Sequence, residues 1–410
     1  MLRTLTIKNY KSILDHTVEL GRINVFIGEN GCGKTNILEA VGLAGAALTD
    51  KLSVEELLIR GLRVAKPSIM RSSFPGNRAK DIVIETAFQP SGGGGEFLVG
   101  LRLVATGEST AEVKWTEKAV GSGTSTATDK IERERSVVAK KASKAAKRAI
   151  SGGIPSARKA VAEVLSERVL AHLLSDRDPR VNLRKLVGDY AIYNANALAL
   201  RGLEVVSRRT PLGIHGEALD YAISTLPRNA WKDVLERARC ISWLENVVVD
   251  ATDQLKYQGH KLGQSQSTLY FHDKHMSRRN NIFSAENVNE GILHVLFHLT
   301  LFVSAGTPKV LGIDNIDTAM NPQLCRDLMK QLAELAVAHD KQALITTHNP
   351  AILDGLNLND NEQRLFVVYR NDDGHTVTRR IRSKPQPDGQ KLKLSELWMR
   401  GHLGGIPRNF

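Results

Sequence analysis

One eight-residue stretch constrains this chain more than any other: Gly28 to Thr35 follows the pattern G-x-x-x-x-G-K-T. Glycines at these positions let the backbone turn tightly, so that several N–H groups can face one chain of phosphates. The apolar run Ile23–Ile27 before the loop predicts a buried strand, and the helical spacing of apolar residues after it predicts a helix. Strand, glycine loop and helix together predict a binding loop for a nucleoside triphosphate.

The residues of this loop have separate predicted roles. Lys34 is predicted to reach the β- and γ-phosphates, and the hydroxyl of Thr35 to bind Mg²⁺. ATP and Mg²⁺ are therefore the expected ligands. The predicted nucleotide-binding residues of this segment are Gly28, Glu29, Asn30, Gly31, Cys32, Gly33, Lys34, Thr35 and Asn36.

Bulk composition narrows the setting in which the chain works. Its 410 residues are enough for two or three domains. We expect no membrane span or signal peptide, because no apolar run is long enough and the N-terminal pattern is absent. Three cysteines lie far apart without CxxC pairing, which favours a reducing, cytoplasmic setting. The net charge of +12 favours an anionic partner such as nucleic acid, or else a solvated basic surface.

Two segments near the N-terminus resemble a known group of ATPases. Leu5–Ser12 reads Leu-Thr-Ile-Lys-Asn-Tyr-Lys-Ser, and Ile23–Leu38 contains the phosphate loop. They are similar to ATPases of the structural-maintenance-of-chromosomes (SMC) and ABC type, and more closely to bacterial relatives grouped with the overcoming-lysogenisation-defect (OLD) proteins. The resemblance covers residues 1–110 and 205–410. It implies an α/β fold, an ABC/SMC-type ATPase head with a mixed sheet, interrupted by a helical, basic insertion.

The resemblance also bears on Cys32 and Gln89. Family members carry a small residue where Cys32 stands, which implies a packing role; a redox-sensing thiol beside the positive loop is the alternative. Asp81–Phe88 and Phe97–Val104 predict two strands of a hairpin with a glycine-rich tip, Gly92–Gly95. The resemblance places an antiparallel sheet beside the nucleotide, with Gln89 at the glutamine-loop position that senses the metal.

The middle of the chain changes character. Gly121–Thr126 predicts a flexible joint, and Lys130–Ile150 and Ala157–Ser175 predict two helices, the first strongly basic. A long coiled coil is excluded because no heptad pattern persists. The lysines form either a nucleic-acid or partner contact, or a solvated helix face. We therefore divide the chain into the first half of the head, a helical basic insertion, a helical linking part, and the second half of the head: 1–116, 117–204, 205–285 and 286–410.

In the linking part, Arg208–Leu219 resembles the family segment in which a glycine-containing turn precedes a helix. Apolar residues predict another helix at Trp231–Cys240 and a strand at Leu269–Phe271. His272 and His275 are close in sequence, but other ligands are missing nearby, so we predict no zinc site.

An apolar helix begins near Gly291, after Val288-Asn289-Glu290. By resemblance this is the signature segment, which closes the nucleotide site of a second subunit. Gly291 matches the signature glycine, whereas Asn289 stands in place of the usual serine; its amide can still donate to a γ-phosphate oxygen. His294 and His298 lack the glutamate of a zinc-protease pattern, so we predict that they face the core.

Val310–Asp314 predicts a buried strand that ends in a carboxylate, which is typical of a Walker B element. Asp314 is predicted to hold Mg²⁺ through water. The next residue is Asn315, where hydrolysing relatives have a glutamate, and an amide cannot accept a proton as a carboxylate does. Asp317 is a substitute base, although it belongs to the stretch Asp317–Pro322 that matches the dimer-contacting loop.

Ala343–Thr347 predicts the next buried strand, and His348 after it matches the switch histidine that bonds the γ-phosphate. Pro322 opens a predicted helix, and Leu365–Arg370 with Thr376–Ile381 a hairpin. The predicted catalytic residues are Asp314, Asn315, Asp317 and His348. The predicted metal ligands are Thr35, Gln89 and Asp314.

The resemblance implies two heads that clamp ATP between them. It further implies a sensor or scaffold subunit of a bacterial anti-phage defence system that controls a separate effector. The residues after His348 are too few for the nuclease domain of OLD proteins, so we expect none after the head. Partners would be a second copy, the effector and nucleic acid at the insertion, without a membrane. The alternatives are a DNA-binding ATPase of repair or chromosome maintenance, and a nucleotide-locked scaffold that scarcely hydrolyses ATP.

Overall fold

The computed structural model describes residues 1–89, 96–105, 115–120, 179–204, 209–382 and 392–405. Four predicted features lie outside the described residues: the tip Gly92–Gly95, the joint Gly121–Thr126 and the two helices of the basic insertion. The strands are β1 Leu2–Tyr10, β2 Ile13–Glu19, β3 Ile23–Ile27, β4 Asp81–Phe88, β5 Phe97–Ala105, β6 Trp115–Val120, β7 Ile192–Tyr193, β8 Leu244–Val249, β9 Leu269–Asp273, β10 Ile282–Ser284, β11 Val310–Ile313, β12 Gln342–Thr346, β13 Gln363–Arg370 and β14 Thr376–Ile381.

The helices of the described residues are α1 Lys34–Leu48, α2 Val54–Ile59, α3 Pro67–Met70, α4 Pro179–Val187, α5 Ala197–Leu200, α6 Leu219–Ser224, α7 Arg228–Ala238, α8 Glu290–Val303, α9 Pro322–Ala338 and α10 Leu394–Met399. A π-helical turn spans Lys256–His260, and a 3₁₀ helix spans Pro350–Gly355. Within these ranges no helix is both long enough and apolar enough to cross a membrane.

The central sheet has six strands in the order β14-β13-β3-β12-β11-β7. All neighbours pair in parallel except β13 and β14, so the sheet is mixed, as predicted. Because the carboxyl ends of parallel strands meet at one edge, the residues that come after β3, β11 and β12 lie together there. This edge holds the phosphate loop, Asp314 and His348.

A second, antiparallel sheet has the order β2-β1-β4-β5-β6 and packs over one face of α1. Helix α1 is buried along almost its whole length, because it lies between this sheet and the central one. A helix that is apolar all round requires such enclosure. Its start at the phosphate loop is therefore fixed by packing on both sides.

The other face of the central sheet is covered by α8 and α9. Helix α8 is buried at every position from Gly291 to Val303, which confirms that His294 and His298 face the core. Helix α9 begins where predicted, with Pro322 in its first turn and the Asn321 side chain accepting a hydrogen bond from Leu324 N at 2.9 Å.

Two segments differ in character from the sequence-based division. Ile192–Tyr193 forms the edge strand β7 of the central sheet, beside β11, and α4 packs on α1, so residues 179–204 belong to the body of the head. A two-residue strand is too short to give a periodic signal. The linking part 205–285 contains the three-stranded sheet β10-β9-β8 as well as helices. For residues 121–178, which lie outside the described ranges, the proposed division remains a prediction.

Candidate nucleotide-binding site

The phosphate loop joins the end of β3 at Ile27 to the start of α1 at Lys34. Gly28 has φ +150°, and a Cβ there would lie 2.1 Å from the carbonyl oxygen of Val368. Gly33 has φ +107°, and a Cβ there would lie 2.3 Å from Thr376 Oγ1. Both the left-handed backbone and the close approach of hairpin β13–β14 therefore require glycine at these two positions.

Lys34 is buried, and its ammonium group is held by the loop itself. Lys34 Nζ donates hydrogen bonds to the carbonyl oxygens of Gly28 and Glu29, both at 2.9 Å. Burial lowers the pKa of this amine, while Cys32 and Asp314 oppose that shift. Burial likewise raises the pKa of the Cys32 thiol, which is 3% exposed; this favours a packing role over a reactive thiolate.

Thr35 and Asp314, which are predicted to bind magnesium, lie next to each other. Thr35 Oγ1 lies 3.2 and 3.3 Å from the two carboxylate oxygens of Asp314, across 279 positions of sequence. Thr346 Oγ1, at the end of β12, donates to Asp314 Oδ1 at 2.5 Å. Mg²⁺ is usually held by one or two protein oxygens with phosphates and water, so this donor set fits the ion without a larger cluster of acidic residues.

The three other predicted catalytic residues lie along the same edge. Asn315 has φ +56°, which asparagine tolerates better than most residues, and its N–H donates to Thr346 Oγ1 at 2.9 Å. Asp317 Oδ1 accepts hydrogen bonds from Thr347 Oγ1 at 2.7 Å and from the N–H of His348 at 3.3 Å. Partial burial and the Lys34 cation lower the pKa of His348, so its imidazole is neutral near pH 7.

The signature segment lies at the start of α8, beside the predicted dimer-contacting loop. Asn289 is the N-cap of α8, and its Oδ1 accepts a hydrogen bond from Gly291 N at 2.9 Å. A Cβ on Gly291 would lie 3.4 Å from the carbonyl oxygen of Ala319, in the predicted dimer-contacting loop. Among the described residues, neither Asn289 nor Gly291 forms a side-chain hydrogen bond with the phosphate loop of the same chain.

The prediction that Gln89 binds the metal is wrong in this structure. Gln89 bonds Met1 through its backbone and Arg3 through its side chain, at 3.3 Å from Arg3 Nη2. The neighbouring Leu2 is bonded to Gln342, which begins β12, whereas the phosphate loop comes after the far end of the adjacent strand β3. Five strand residues separate these ends, or roughly 16 Å. The apolar pattern predicted strand β4 correctly, but it could not show that Gln89, after this strand, lies at the end of the sheet away from the phosphate loop.

Several residues beside the loop were missed from sequence. Thr376 Oγ1 donates to the carbonyl oxygen of Cys32 at 2.6 Å and lies 2.7 Å from Ser12 Oγ. Arg370 donates to the carbonyl oxygen of Gly31 at 3.2 Å through Nη2 and at 3.3 Å through Nε. Ser12 lies in a segment that the resemblance had marked. Thr376 and Arg370 carry no local signal, because only the pairing of β13 with β3 brings them here.

A buried carboxylate anchors the other wall of the loop. Glu39 on α1 has a fully buried side chain and pairs with Arg63 Nε at 2.8 Å and Lys11 Nζ at 2.5 Å. Arg63 also donates to Asn36 Oδ1 at 3.2 Å, and Asn36 Nδ2 donates to Ser12 Oγ at 2.7 Å. Asn36 is thus held in a network beside the loop rather than left as a free surface side chain.

Comparisons with known proteins agree with this architecture. A protein-family model described as AAA domain matches residues 4–182. A second AAA-domain model, whose description also names the AbiEii toxin and a type IV TA system, matches residues 250–354. The crystal structure of an SMC head bound to the C-winged helix domain of ScpA has a TM-score of 0.51 at 11% identity, covering 93% of this chain and 98% of that one.

The chain has the fold of an SMC ATPase head. The SMC head domain from Thermotoga maritima is also similar, with a TM-score of 0.46, 13% identity and coverage of 93% of this chain and 99% of that one. Among curated proteins, the DNA replication and repair protein RecF of Halothermothrix orenii is 42% identical over 55 residues. That match spans 13% of this chain and only 15% of the relative.

Proposed function

We propose that this head binds Mg²⁺ and ATP, dimerises through the bound nucleotide and hydrolyses it slowly. The observation that carries the proposal is the contact of Thr35 with Asp314, beside a buried Lys34 in a loop that admits only glycine at two positions. Lys34, Thr35 and Asp314 would hold the phosphates and the ion. Magnesium, when bound, neutralises phosphate charge.

Slow hydrolysis is proposed because of the residues next to Asp314. The amide of Asn315 cannot accept a proton from water. The carboxylate of Asp317 already accepts two hydrogen bonds, from Thr347 and His348, which orient it toward the segment after β12. A head that holds ATP through Lys34, Thr35 and Asp314, and that has an amide at position 315, is expected to retain ATP for a long time.

Dimerisation is proposed because, among the described residues, the signature segment makes no hydrogen bond with the phosphate loop of its own chain. Its exposed N-cap, Asn289, would face the nucleotide of a second copy, with the nearby Asp317–Pro322 loop at the same contact. The test is the mass of the purified protein by light scattering, with ATP and Mg²⁺ and without them. We expect a dimer with nucleotide only. A monomer at all ATP concentrations would contradict the proposal.

We further propose that the dimer is the sensor or scaffold of an anti-phage defence system in the cytoplasm, acting on a separate effector. The resemblance to OLD-related ATPases and the family model that names the AbiEii toxin support this role. Co-expression with the genomic neighbours, followed by purification and native mass spectrometry, tests it. We expect a stable complex that retains ATP; a head that always purifies alone would contradict it.

A second candidate function is DNA repair or chromosome maintenance. The match to RecF and the net charge of +12 favour it. Basic residues that bind phosphates give an affinity that falls steeply with salt. Binding of duplex DNA with a steep salt slope, and no effector in the purified complex, would select this function over the defence role.

A further inference from the structure

A basic cavity lies at the end of the central sheet opposite to the phosphate loop. Its volume is about 440 Å³. It is bounded by residues after the carboxyl end of α1, by α2 and α4, and by the loop that leads into β11. Helix α1 has 15 residues and is therefore about 22 Å long. The phosphate loop lies at its first end and the cavity near its last.

Positive charge dominates the lining. Two acidic side chains, Glu56 and Asp189, also line the cavity. Glu56 pairs with Lys51 at 3.5 Å, and Asp340 outside the lining pairs with Lys309 at 3.2 Å, so part of the charge is already compensated. The basic residues that line the cavity are Lys51, Arg60, Lys185, Arg209 and Lys309.

The deepest cation is fixed in place. Arg60 is only 5% exposed; its guanidinium donates to the carbonyl oxygen of Tyr190 at 3.1 Å and to Thr49 Oγ1 at 3.2 Å. Its Nε is buried and has no hydrogen-bond partner among the described residues. A buried donor without a partner is unfavourable, and an anion close enough to accept from it would remove that penalty.

The facing wall is also rigid. Lys341 is 3% exposed and donates to the carbonyl oxygens of Ser304 and Thr307 at 2.8 Å and of Pro308 at 3.2 Å. The loop from Ala305 to Lys309 is therefore held from behind while its other side lines the cavity. A site whose walls are held by buried side chains loses little conformational entropy when a ligand binds.

We propose that this cavity is a second anion site, which takes a small phosphate-bearing ligand of the diphosphate class. Its volume lies in the range of small-molecule sites. Arg60 lines the cavity but is almost fully buried, so a small diphosphate group can approach it more closely than a nucleic-acid backbone can. A nucleic-acid backbone would meet mainly the exposed side chains of Lys51 and Lys309. The lining mixes a guanidinium, which binds phosphate in a bidentate manner, with lysines that act as point charges.

Calorimetric titration with inorganic pyrophosphate tests the site. Because the phosphate loop also binds this probe, the Lys34→Ala variant is titrated beside the wild type. We expect two binding events in the wild type and one in Lys34→Ala. Adding Lys51→Glu and Lys309→Glu should weaken the remaining event by at least about tenfold, since two charges that attract phosphate become repulsive.

The control is Lys232→Glu, which makes the same change of charge per substitution on the 77% exposed side chain of α7. It should leave the remaining event unchanged, and the Lys51→Glu, Lys309→Glu double variant should bind ATP at the phosphate loop as tightly as the wild type. Loss of all pyrophosphate binding in Lys34→Ala alone would overturn the proposal. An equal weakening by Lys232→Glu would also overturn it.

Discussion

The two halves of the candidate nucleotide site differ in how far a single chain completes them. The phosphate-loop half is closed within the chain: Lys34 bonds the loop carbonyls, and Thr35 and Thr346 both contact Asp314. In the signature half, the hydrogen bond that the exposed Asn289 side chain makes within the described part of the chain goes to the start of its own helix. Under the proposed function, the first half binds nucleotide in one copy, whereas the second half acts on the nucleotide of another copy.

This difference separates binding from assembly. Substitutions in the phosphate-loop half should remove binding and, as a consequence, assembly. Substitutions in the signature half should remove assembly and spare binding. If the two halves instead worked on the same nucleotide in one chain, both sets would weaken ATP binding alike.

The largest effect is expected for Lys34→Ala. The substitution removes the cation beside the phosphates, and a hydrogen bond to a charged group contributes about 1.5–3 kcal/mol. Several such bonds are lost together, so ATP affinity should fall by about two orders of magnitude or more, measured by equilibrium dialysis. Lys8→Ala, on the exposed face of β1, is the control and should bind like the wild type. Equal affinities of Lys34→Ala and wild type would exclude Gly28–Thr35 as the ATP loop.

The next effect concerns the signature half. Gly291→Arg and Asn289→Asp should abolish the ATP-dependent dimer, the first by bulk and the second by placing a negative charge before phosphate. Both should retain monomeric ATP binding, which also shows that they fold. Asn289→Ser keeps an N-cap and should retain the dimer. An ATP-bound dimer in which Asn289 lies far from any phosphate would refute the assignment.

A smaller effect is expected at Asn315. Asn315→Glu supplies the missing proton acceptor, and a general base contributes typically 10²–10⁴-fold, so turnover should rise by at least about tenfold. The gain is limited because φ is +56° at this position, which costs glutamate about 1–2 kcal/mol. Asn315→Gly accepts the same backbone and is the control without a base. Phosphate release measures both variants.

The alternative base predicts the opposite pattern. If Asp317 acts on water, Asn315→Glu should change little and Asp317→Asn should remove the residual activity. Wild-type turnover on the order of 1–10 s⁻¹ that neither substitution alters would contradict both versions.

The smallest effect is a pH dependence of the helix that carries the signature half. Burial lowers the pKa of His298 in α8 to about 3, so the folded imidazole stays neutral while the unfolded one, with a pKa near 6.5, takes up a proton. Stability is therefore lost as pH falls from about 6.5 toward 3. Between pH 7.5 and 5.5 the loss is about 1.4 kcal/mol.

His298→Asn keeps a donor for the His294 carbonyl oxygen, which His298 Nδ1 contacts at 2.7 Å, and cannot titrate. Urea unfolding at the two pH values should show a smaller pH dependence by about that amount. His275→Asn, in an exposed loop, should leave the dependence as it is in the wild type. An unchanged pH dependence in His298→Asn would show that His298 takes up a proton between pH 7.5 and 5.5 in the folded chain as it does in the unfolded chain.

Features read correctly from sequence are those that a short segment fixes by itself. The glycine spacing at Gly28 and Gly33 reflects local φ values and one close approach, and Val310–Ile313 and Gln342–Thr346 are apolar runs of strand length. Pro322 and Asn321 carry the chemistry of a helix start. Such signals made the Lys34, Thr35 and Asp314 constellation predictable, and the resemblance to SMC- and ABC-type ATPases that they carry predicted the mixed α/β head.

Other features depended on which strands pair and in what register. Gln89 comes after a correctly predicted strand but lies at the wrong end of the sheet, and β7 was too short to be seen. Thr376 and Arg370 reach the loop only because β13 pairs with β3, more than 330 positions away in sequence. Local pattern determines burial and backbone conformation. Pairing is decided by how sheet faces and helices pack, and that is a property of the whole chain.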